Sequence, residues 1–158
     1  NDLNKSDFLS IFGNVFEKTE SVALETFELK PFKDFNDIIL KMLNIYEAYG
    51  KDKILEILNS HPELAVAKKL TSESKSEQAS AKLNECSNDE YEEFKKLNLE
   101  YKKKFNFPFI IAVKGKNKNE ILNNFRQRIL NDVQIEFLEA KKQVKKIASF
   151  RLNEISNK

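Results

Sequence analysis

The stretch Asp34-Phe35-Asn36-Asp37-Ile38-Ile39-Leu40-Lys41-Met42-Leu43-Asn44-Ile45-Tyr46-Glu47-Ala48-Tyr49-Gly50 decides the fold class of this chain. Its apolar residues recur at the spacing of a helix with one apolar face: Ile38, Ile39, Met42, Leu43 and Tyr46. Gly50 is typical of the position just after a helix end. The stretch therefore predicts an amphipathic helix from Asp34 to Tyr49.

Helical spacing continues through most of the remaining chain. We predict a first helix capped by Ser6, short helices that carry Val22–Phe27 and Ile54–Leu58, and a longer helix opened by Asn88-Asp89. Two final helices are predicted over roughly 119–130 and 132–155. The 158 residues include only three glycines and three prolines, which disfavours a turn-rich sandwich or barrel. These patterns predict an all-α fold, a single compact multi-helix domain over residues 1–158.

The stretch Phe105-Asn106-Phe107-Pro108-Phe109-Ile110-Ile111-Ala112-Val113 interrupts this helical pattern. Its aromatic and β-branched residues are typical of a strand, but no partner strand is evident in the sequence. We therefore predict one buried extended segment near residues 105–113 within an otherwise helical protein.

Composition argues against several classes of protein. One cysteine, Cys86, and one histidine leave no disulfide framework and argue against a metal site. The formal net charge of +2 gives no global signature of nucleic-acid binding. No apolar run approaches the ~18–20 residues that span a membrane. Residues Asn1–Lys5 lack the pattern of a signal peptide, so we expect a cytoplasmic protein.

The densest basic stretch lies within residues 102–118 and contains six lysines: Lys102, Lys103, Lys104, Lys114, Lys116 and Lys118. Two interpretations remain open for it. It is either a solvated face or a patch that binds phosphate or an acidic partner. The second interpretation would make the chain a non-catalytic helical binding module.

The single histidine, His61, is the first candidate for chemistry, because imidazole exchanges protons near neutral pH. Pro62 suits the first position of a helix, so we predict that His61 lies at the helix N-cap. A lone histidine is more often a surface or capping residue than a catalyst.

Glu77 is the second candidate. Ser74-x-x-Glu77 matches the capping-box pattern, which would explain both residues by helix capping alone. The functional interpretation is that the same helix start directs N–H groups and a carboxylate into a cleft, since a helix N-terminus attracts anions.

Arg151 is the third candidate, because it occupies an apolar stripe. Val133, Phe137, Ala140, Val144 and Ile147 recur at helical spacing, and Arg151 takes the next position before Ile155. A buried charge needs a partner or an opening. Only three of the 27 basic residues are arginines, which favours planar, bidentate recognition of a carboxylate here. The alternative is an arginine that extends along the helix to reach solvent.

Several ordered motifs carry a resemblance to a known family. They are Phe12-Gly13-Asn14-Val15-Phe16-Glu17; His61-Pro62-Glu63-Leu64-Ala65; Leu70-Thr71-x-Glu73-Ser74-x-x-Glu77-Gln78; Leu97-Asn98-x-x-Tyr101-x-x-Lys104-Phe105-x-Phe107-Pro108-Phe109-Ile110; and Lys145-Lys146-Ile147-Ala148-x-x-Arg151-Leu152. Across essentially its whole length the chain resembles the ureidoimidazoline (OHCU) decarboxylases of urate breakdown. It departs from their usual Pro-Trp pair at Thr19-Glu20-Ser21-Val22 and from their Arg-Pro-Phe at Lys30-Pro31-Phe32.

The resemblance implies a function. Members of the family are all-helical, usually homodimeric, cofactor-free carboxy-lyases, and they convert 2-oxo-4-hydroxy-4-carboxy-5-ureidoimidazoline to (S)-allantoin and CO2. It implies that His61, Glu77 and Arg151 are catalytic. It implies that the substrate is bound by Pro62, Ser74, Gln78, Phe109, Ile110, Ile111, Ala112 and Val113. A related enzyme that acts on another ureido or heterocyclic acid is the remaining alternative.

Overall fold

A computed structural model describes residues 1–66 and 70–158, and its regular structure is helical. Its elements are α1 (Lys5–Phe12), α2 (Ser21–Phe27), α3 (Phe35–Ala48), α4 (Lys51–Asn59), α5 (Ser72–Ser80), a 3-10 turn (Leu83–Glu85), α6 (Asn88–Phe105), α7 (Lys118–Arg128) and α8 (Val133–Ser156). No strand occurs among the residues described, which confirms the prediction of an all-α fold.

The predicted central helix is confirmed as α3, with differences at its ends. Asp34 is the N-cap, and its side chain accepts a hydrogen bond from the Asp37 N–H. Tyr49 is the C-cap of α3, so Gly50 lies directly after the helix end, as predicted, and with φ of −72° it is also the N-cap of α4. The predicted cap of α1 is wrong, because Asn4 rather than Ser6 accepts the hydrogen bond at that helix start.

The described chain folds into two compact units, each with its own core. Unit 1 comprises Asn1–Ser60 and Val144–Lys158, and unit 2 comprises His61–Gln143. The prediction of one domain over residues 1–158 therefore stays a prediction.

In unit 1, α2 packs against both α1 and α3. Aromatic rings fill its core: Phe8 and Phe12 have centroids 4.6 Å apart, and Phe16 stacks on Tyr46 at 4.8 Å. The C-terminal part of α8 contributes Ala148 and Leu152, which are fully buried. Of the apolar stripe predicted for α8, Ala140, Val144 and Ile147 are buried and Phe137 is half-buried, whereas Val133 at the start of the stripe is exposed.

In unit 2, the core surrounds Tyr101 of α6 and Phe125 of α7, both fully buried. Residues 107–113, between α6 and α7, are all buried and form neither helix nor strand, which agrees with the predicted segment. Phe105, however, is the last residue of α6. No helix in the described part of the chain is long and apolar enough to cross a membrane.

Candidate active site

His61 is 8% exposed and lies in an irregular turn, just after the Ser60 C-cap of α4. Its predicted position at a helix N-cap is wrong, because residues 62–66 are not helical. Pro62 restricts the backbone of this turn, because the proline ring fixes φ. Ala65 adopts a positive φ of 54°, a conformation that needs support from its neighbours.

Two buried amide side chains support the turn that follows His61. Gln78 accepts a hydrogen bond from the Ala65 N–H at 3.1 Å and donates one to the Glu63 carbonyl at 3.2 Å. Asn98 donates to the Leu64 carbonyl at 3.1 Å. The backbone directly after the imidazole is therefore held from α5 and from α6, and such support restricts the position of His61.

The polar residues 71–80, which lack an apolar period, form α5. Thr71 is the N-cap and accepts from the Ser74 N–H, so the capping box predicted for Ser74 and Glu77 is wrong. Both lie inside the helix, with Ser74 buried and Glu77 half-buried. Gln78 is also buried, so α5 presents two polar side chains, Ser74 and Gln78, to the interior of unit 2.

The segment from Phe109 to Val113 is anchored by two side chains. Arg128 Nη1 donates to the Ile110 carbonyl at 2.6 Å, and Gln143 Oε1 accepts from the Ala112 N–H at 2.9 Å. The two bound residues are two positions apart, the spacing at which an extended chain directs backbone polar groups to one side. One edge of the segment is thus attached to α7 and α8.

The opposite edge of the same segment is different. Neither the N–H nor the carbonyl of Ile111 makes a hydrogen bond to any residue within 1–66 or 70–158, although Ile111 is only 5% exposed. Buried backbone groups are rarely left unpaired, and such groups indicate an unseen partner such as water or a ligand. This edge offers a donor and an acceptor side by side, which is what an amide or ureido group requires.

Arg151 belongs to unit 1, where it is 4% exposed. Its Nη1 donates to the Asn14 carbonyl at 2.9 Å, and its Nη2 lies 3.3 Å from Oε2 of the fully buried Glu17. The predicted need for a charge partner on the apolar stripe is therefore met by Glu17. These contacts set the orientation of the guanidinium plane.

All the predicted site residues except Arg151 lie in unit 2. Sequence reasoning missed four side chains that hold site elements: Glu17, Asn98, Arg128 and Gln143. Arg128 could have been found by the argument used for Arg151, since arginine is rare throughout this lysine-rich chain. Within the described residues, no group of three or more His, Cys, Asp or Glu side chains is placed to hold a metal ion.

Two lysines of the basic stretch at residues 102–118 bind other residues of unit 2. Lys104 donates to the Ile129 carbonyl at 2.8 Å, and Lys118 forms an ion pair with Glu90 at 3.1 Å. Lys102, Lys103 and Lys104 lie in the last turn of α6, where positive charge is favoured by the helix dipole. These contacts support the interpretation of residues 102–118 as a structural and solvated face.

Comparison with known proteins gives a consistent result. The family model described as OHCU decarboxylase matches residues 1–153. The chain is 39% identical over 155 residues to the uric acid degradation bifunctional protein of Bacillus sp. (strain TB-90), which covers 98% of this chain but only 31% of that protein. It therefore spans about a third of the length of such bifunctional relatives.

A shorter relative is covered almost completely. The 2-oxo-4-hydroxy-4-carboxy-5-ureidoimidazoline decarboxylase of Halalkalicoccus jeotgali is 37% identical over 158 residues, with 98% of this chain and 90% of the relative covered. A crystal structure of (S)-allantoin synthase superposes with a TM-score of 0.73 at 26% identity, over 97% of this chain and 51% of that one. The likeness thus extends over sequence and fold.

Proposed function

Because the chain belongs to the OHCU decarboxylase family, we propose that it converts 2-oxo-4-hydroxy-4-carboxy-5-ureidoimidazoline to (S)-allantoin and CO2. The observation that carries this proposal is the unpaired backbone edge of Ile111 in a buried segment. Its donor and acceptor match the ring amide and the ureido group of this substrate. A decarboxylase that acts on a small polar heterocycle needs such a surface beside a proton-transfer group.

The chemistry balances without a cofactor. The bond between ring C4 and the carboxylate breaks, and its electron pair moves toward the adjacent ring C=N, so that CO2 leaves and an enol-like intermediate remains. The ring nitrogen that receives the electron pair is protonated, the C4 hydroxyl loses its proton as it becomes a carbonyl, and C5 is protonated on one face, which gives allantoin. One proton is consumed for each CO2 released.

We assign the proton transfer to His61. Its imidazole is the one side chain of this chain whose ordinary pKa suits both donation and acceptance near neutral pH. The hydrogen bonds that join Gln78 and Asn98 to the turn after His61 support delivery of the proton to one face. Protonation on one face is the step that produces a single enantiomer.

Glu77 and Arg151 take supporting roles. Glu77 either orients the imidazole or holds the substrate hydroxyl. Arg151, oriented by Glu17 and the Asn14 carbonyl, anchors the substrate and stabilises charge that develops on the ring. The apolar side chains of Phe109 to Ile111 disfavour the charged carboxylate and accommodate neutral CO2. Pro62, Ser74, Gln78, Ala112 and Val113 complete the proposed substrate-binding set.

The decisive experiment generates the labile substrate from urate with uricase and hydroxyisourate hydrolase. We expect this protein to accelerate the appearance of optically active allantoin, followed by circular dichroism. A rate equal to that of the spontaneous reaction, which yields racemic product, would contradict the proposal.

We further propose that the protein is a cytoplasmic homodimer. Leu130, Val133, Ile135 and Leu138 are 50–80% exposed within a short stretch, and a second copy of the chain would remove them from water. Sedimentation equilibrium tests this point, with twice the mass of 18.4 kDa expected and a monomer contradicting it.

A further inference from the structure

A buried ion pair lies beside the proposed substrate-binding segment. Arg128, the last residue of α7, is 7% exposed, and Glu136, in the first turn of α8, is fully buried. Arg128 Nε donates to Glu136 Oε1 at 2.7 Å. Its Nη2 lies 2.6 Å from the same oxygen, although without hydrogen-bond geometry. The guanidinium is therefore held by charge as well as by a directed bond.

Two further side chains donate hydrogen bonds to the Glu136 carboxylate. The Tyr101 hydroxyl donates to Oε1 at 2.7 Å, and Asn131 Nδ2 donates to Oε2 at 3.0 Å. Burial, followed by the contact with Glu136, raises the pKa of Tyr101, so its hydroxyl remains a donor at neutral pH. Three hydrogen bonds, from Arg128, Tyr101 and Asn131, satisfy and fix the carboxylate, which therefore holds Arg128 in place.

Arg128, held by Glu136, contacts two adjacent residues of the 109–113 segment. Its Nη1 donates to the Ile110 carbonyl at 2.6 Å, and its guanidinium carbon lies 4.4 Å from the centre of the Phe109 ring. That ring also stacks on Phe125, at 3.9 Å with an interplanar angle of 7°. Both the backbone and the side chain at the start of the segment are thereby fixed.

We propose that Arg128 and Glu136 are positioning residues, which hold the 109–113 segment so that the backbone edge of Ile111 is presented to substrate. The inference rests on the proposed function for the identity of that substrate. Arg128 binds the residue next to Ile111, so a shift of the Ile110 carbonyl rotates the Ile111 N–H and carbonyl with it. A buried arginine suits this position because one planar guanidinium can contact a carboxylate, a backbone carbonyl and an aromatic face at the same time.

The same helix provides a matched control. Arg126, two residues earlier, also contacts a glutamate: its Nε and Nη2 donate to the two carboxylate oxygens of Glu93 at 2.7 and 2.6 Å. That arginine is exposed, and its remaining hydrogen bond goes to Asn123 of the same helix instead of to the 109–113 segment. Arg126→Lys therefore applies the same chemical change to α7 without altering the segment.

The first measurement compares steady-state kinetics of Arg128→Lys and Arg126→Lys. We expect Arg128→Lys to raise KM about tenfold while kcat changes less than about threefold, because the lost interaction is substrate binding. Arg126→Lys should leave both constants unchanged. A purely structural role would instead reduce the active fraction, which lowers apparent kcat at an unchanged KM, and that result would overturn the proposal.

The second measurement does not need turnover. Amide hydrogen exchange across residues 107–113 should accelerate in Arg128→Lys and in Glu136→Gln, but not in Arg126→Lys. Unchanged exchange in both variants of the pair would overturn the proposal. If the wild-type protein does not decarboxylate the substrate, the proposed function fails alone, and exchange still decides whether the pair positions the segment. Glu136→Gln retains the size of the side chain and serves if Arg128→Lys does not fold.

Discussion

Glu17 and Arg151 are separated by 134 positions in the sequence, yet their side chains form an ion pair with 3.3 Å between Oε2 and Nη2. Both are almost completely buried, at 0% and 4% exposure. A buried pair stabilises little relative to apolar residues, but loss of one partner leaves a charge without compensation. The pair is therefore better understood as a way to orient Arg151 than as a source of stability.

Glu17→Gln removes the charge partner and retains the shape of the side chain. We expect a loss of about 3–5 kcal/mol in the free energy of unfolding, because Arg151 stays buried. Urea denaturation measures it. The control is Glu28→Gln, which breaks the exposed pair with Lys5 at 3.2 Å and should cost less than about 1 kcal/mol. Equal effects of the two substitutions would contradict a special role for Glu17.

Arg151→Lys tests whether a planar guanidinium is needed at this position. A lysine ammonium retains the charge but cannot bind a carboxylate, a carbonyl and substrate in one plane. We expect kcat/KM for the in situ substrate to fall by at least about tenfold, while the helical circular dichroism spectrum is retained. Wild-type kinetics in this variant would remove Arg151 from the catalytic set.

His61→Ala removes the proposed proton donor. General acid–base catalysis contributes about 10²–10⁴-fold, so turnover should fall within that range while the helical spectrum persists. Since the chain has no second histidine for a matched substitution, added imidazole is the control. Partial recovery of the rate with imidazole is expected. Near-normal activity without it would refute the assignment.

Gln78→Met retains the length of the side chain but removes both hydrogen bonds to the turn after His61. The Ala65 N–H and the Glu63 carbonyl then lose their partner, which should cost about 1–3 kcal/mol in unfolding free energy. We also expect a lower kcat, because the imidazole is less well positioned. Gln127→Met, at an exposed position of α7, should change neither quantity. Similar results for both variants would show that the turn is held by other contacts.

Glu90 provides a pH-dependent prediction at the start of α6. The Ser87 N–H, followed by Lys118, stabilises its ionised form and lowers the pKa of its carboxyl group. The resulting stabilisation is complete above the ordinary glutamate pKa and is lost as the pH falls through the lowered value. Carbon-13 titration of Glu90 should show its pKa rising in Lys118→Met but not in Lys116→Met. An identical Glu90 pKa in wild type and Lys118→Met would contradict the contribution of Lys118.

The helix ends show where local sequence analysis loses precision. Ser6 and Asn4 are both good capping residues near the start of α1, and only backbone geometry decides that Asn4 accepts the hydrogen bond. Gly50 separates two helices: it follows the end of α3, and with φ of −72° it also caps the start of α4. Helix existence followed from apolar spacing, whereas helix boundaries depended on which neighbouring group supplied a cap.

The extent of helix α5 did not follow from apolar spacing, because its buried residues are polar. Ser74 and Gln78 face the interior without any apolar period, and Gln78 is satisfied there by the backbone of residues 63–65. A hydrophobic pattern cannot report a helix whose inner face is stabilised by hydrogen bonds to another segment. The same reasoning explains why Asn98 was overlooked.

The sequence by itself determined that the protein is helical, because the spacing of apolar residues is a local property of the chain. It also singled out His61, Glu77 and Arg151 as candidate site residues by residue type and motif, and it marked residues 105–113 as an exception to the helical pattern. Only the tertiary structure decided which groups hold these elements: Glu17 for Arg151, Gln78 and Asn98 for the His61 turn, and Arg128 with Gln143 for the segment. Such partners lie 13 to 134 positions away in sequence, and local spacing carries no information about contacts that form only when distant segments fold together.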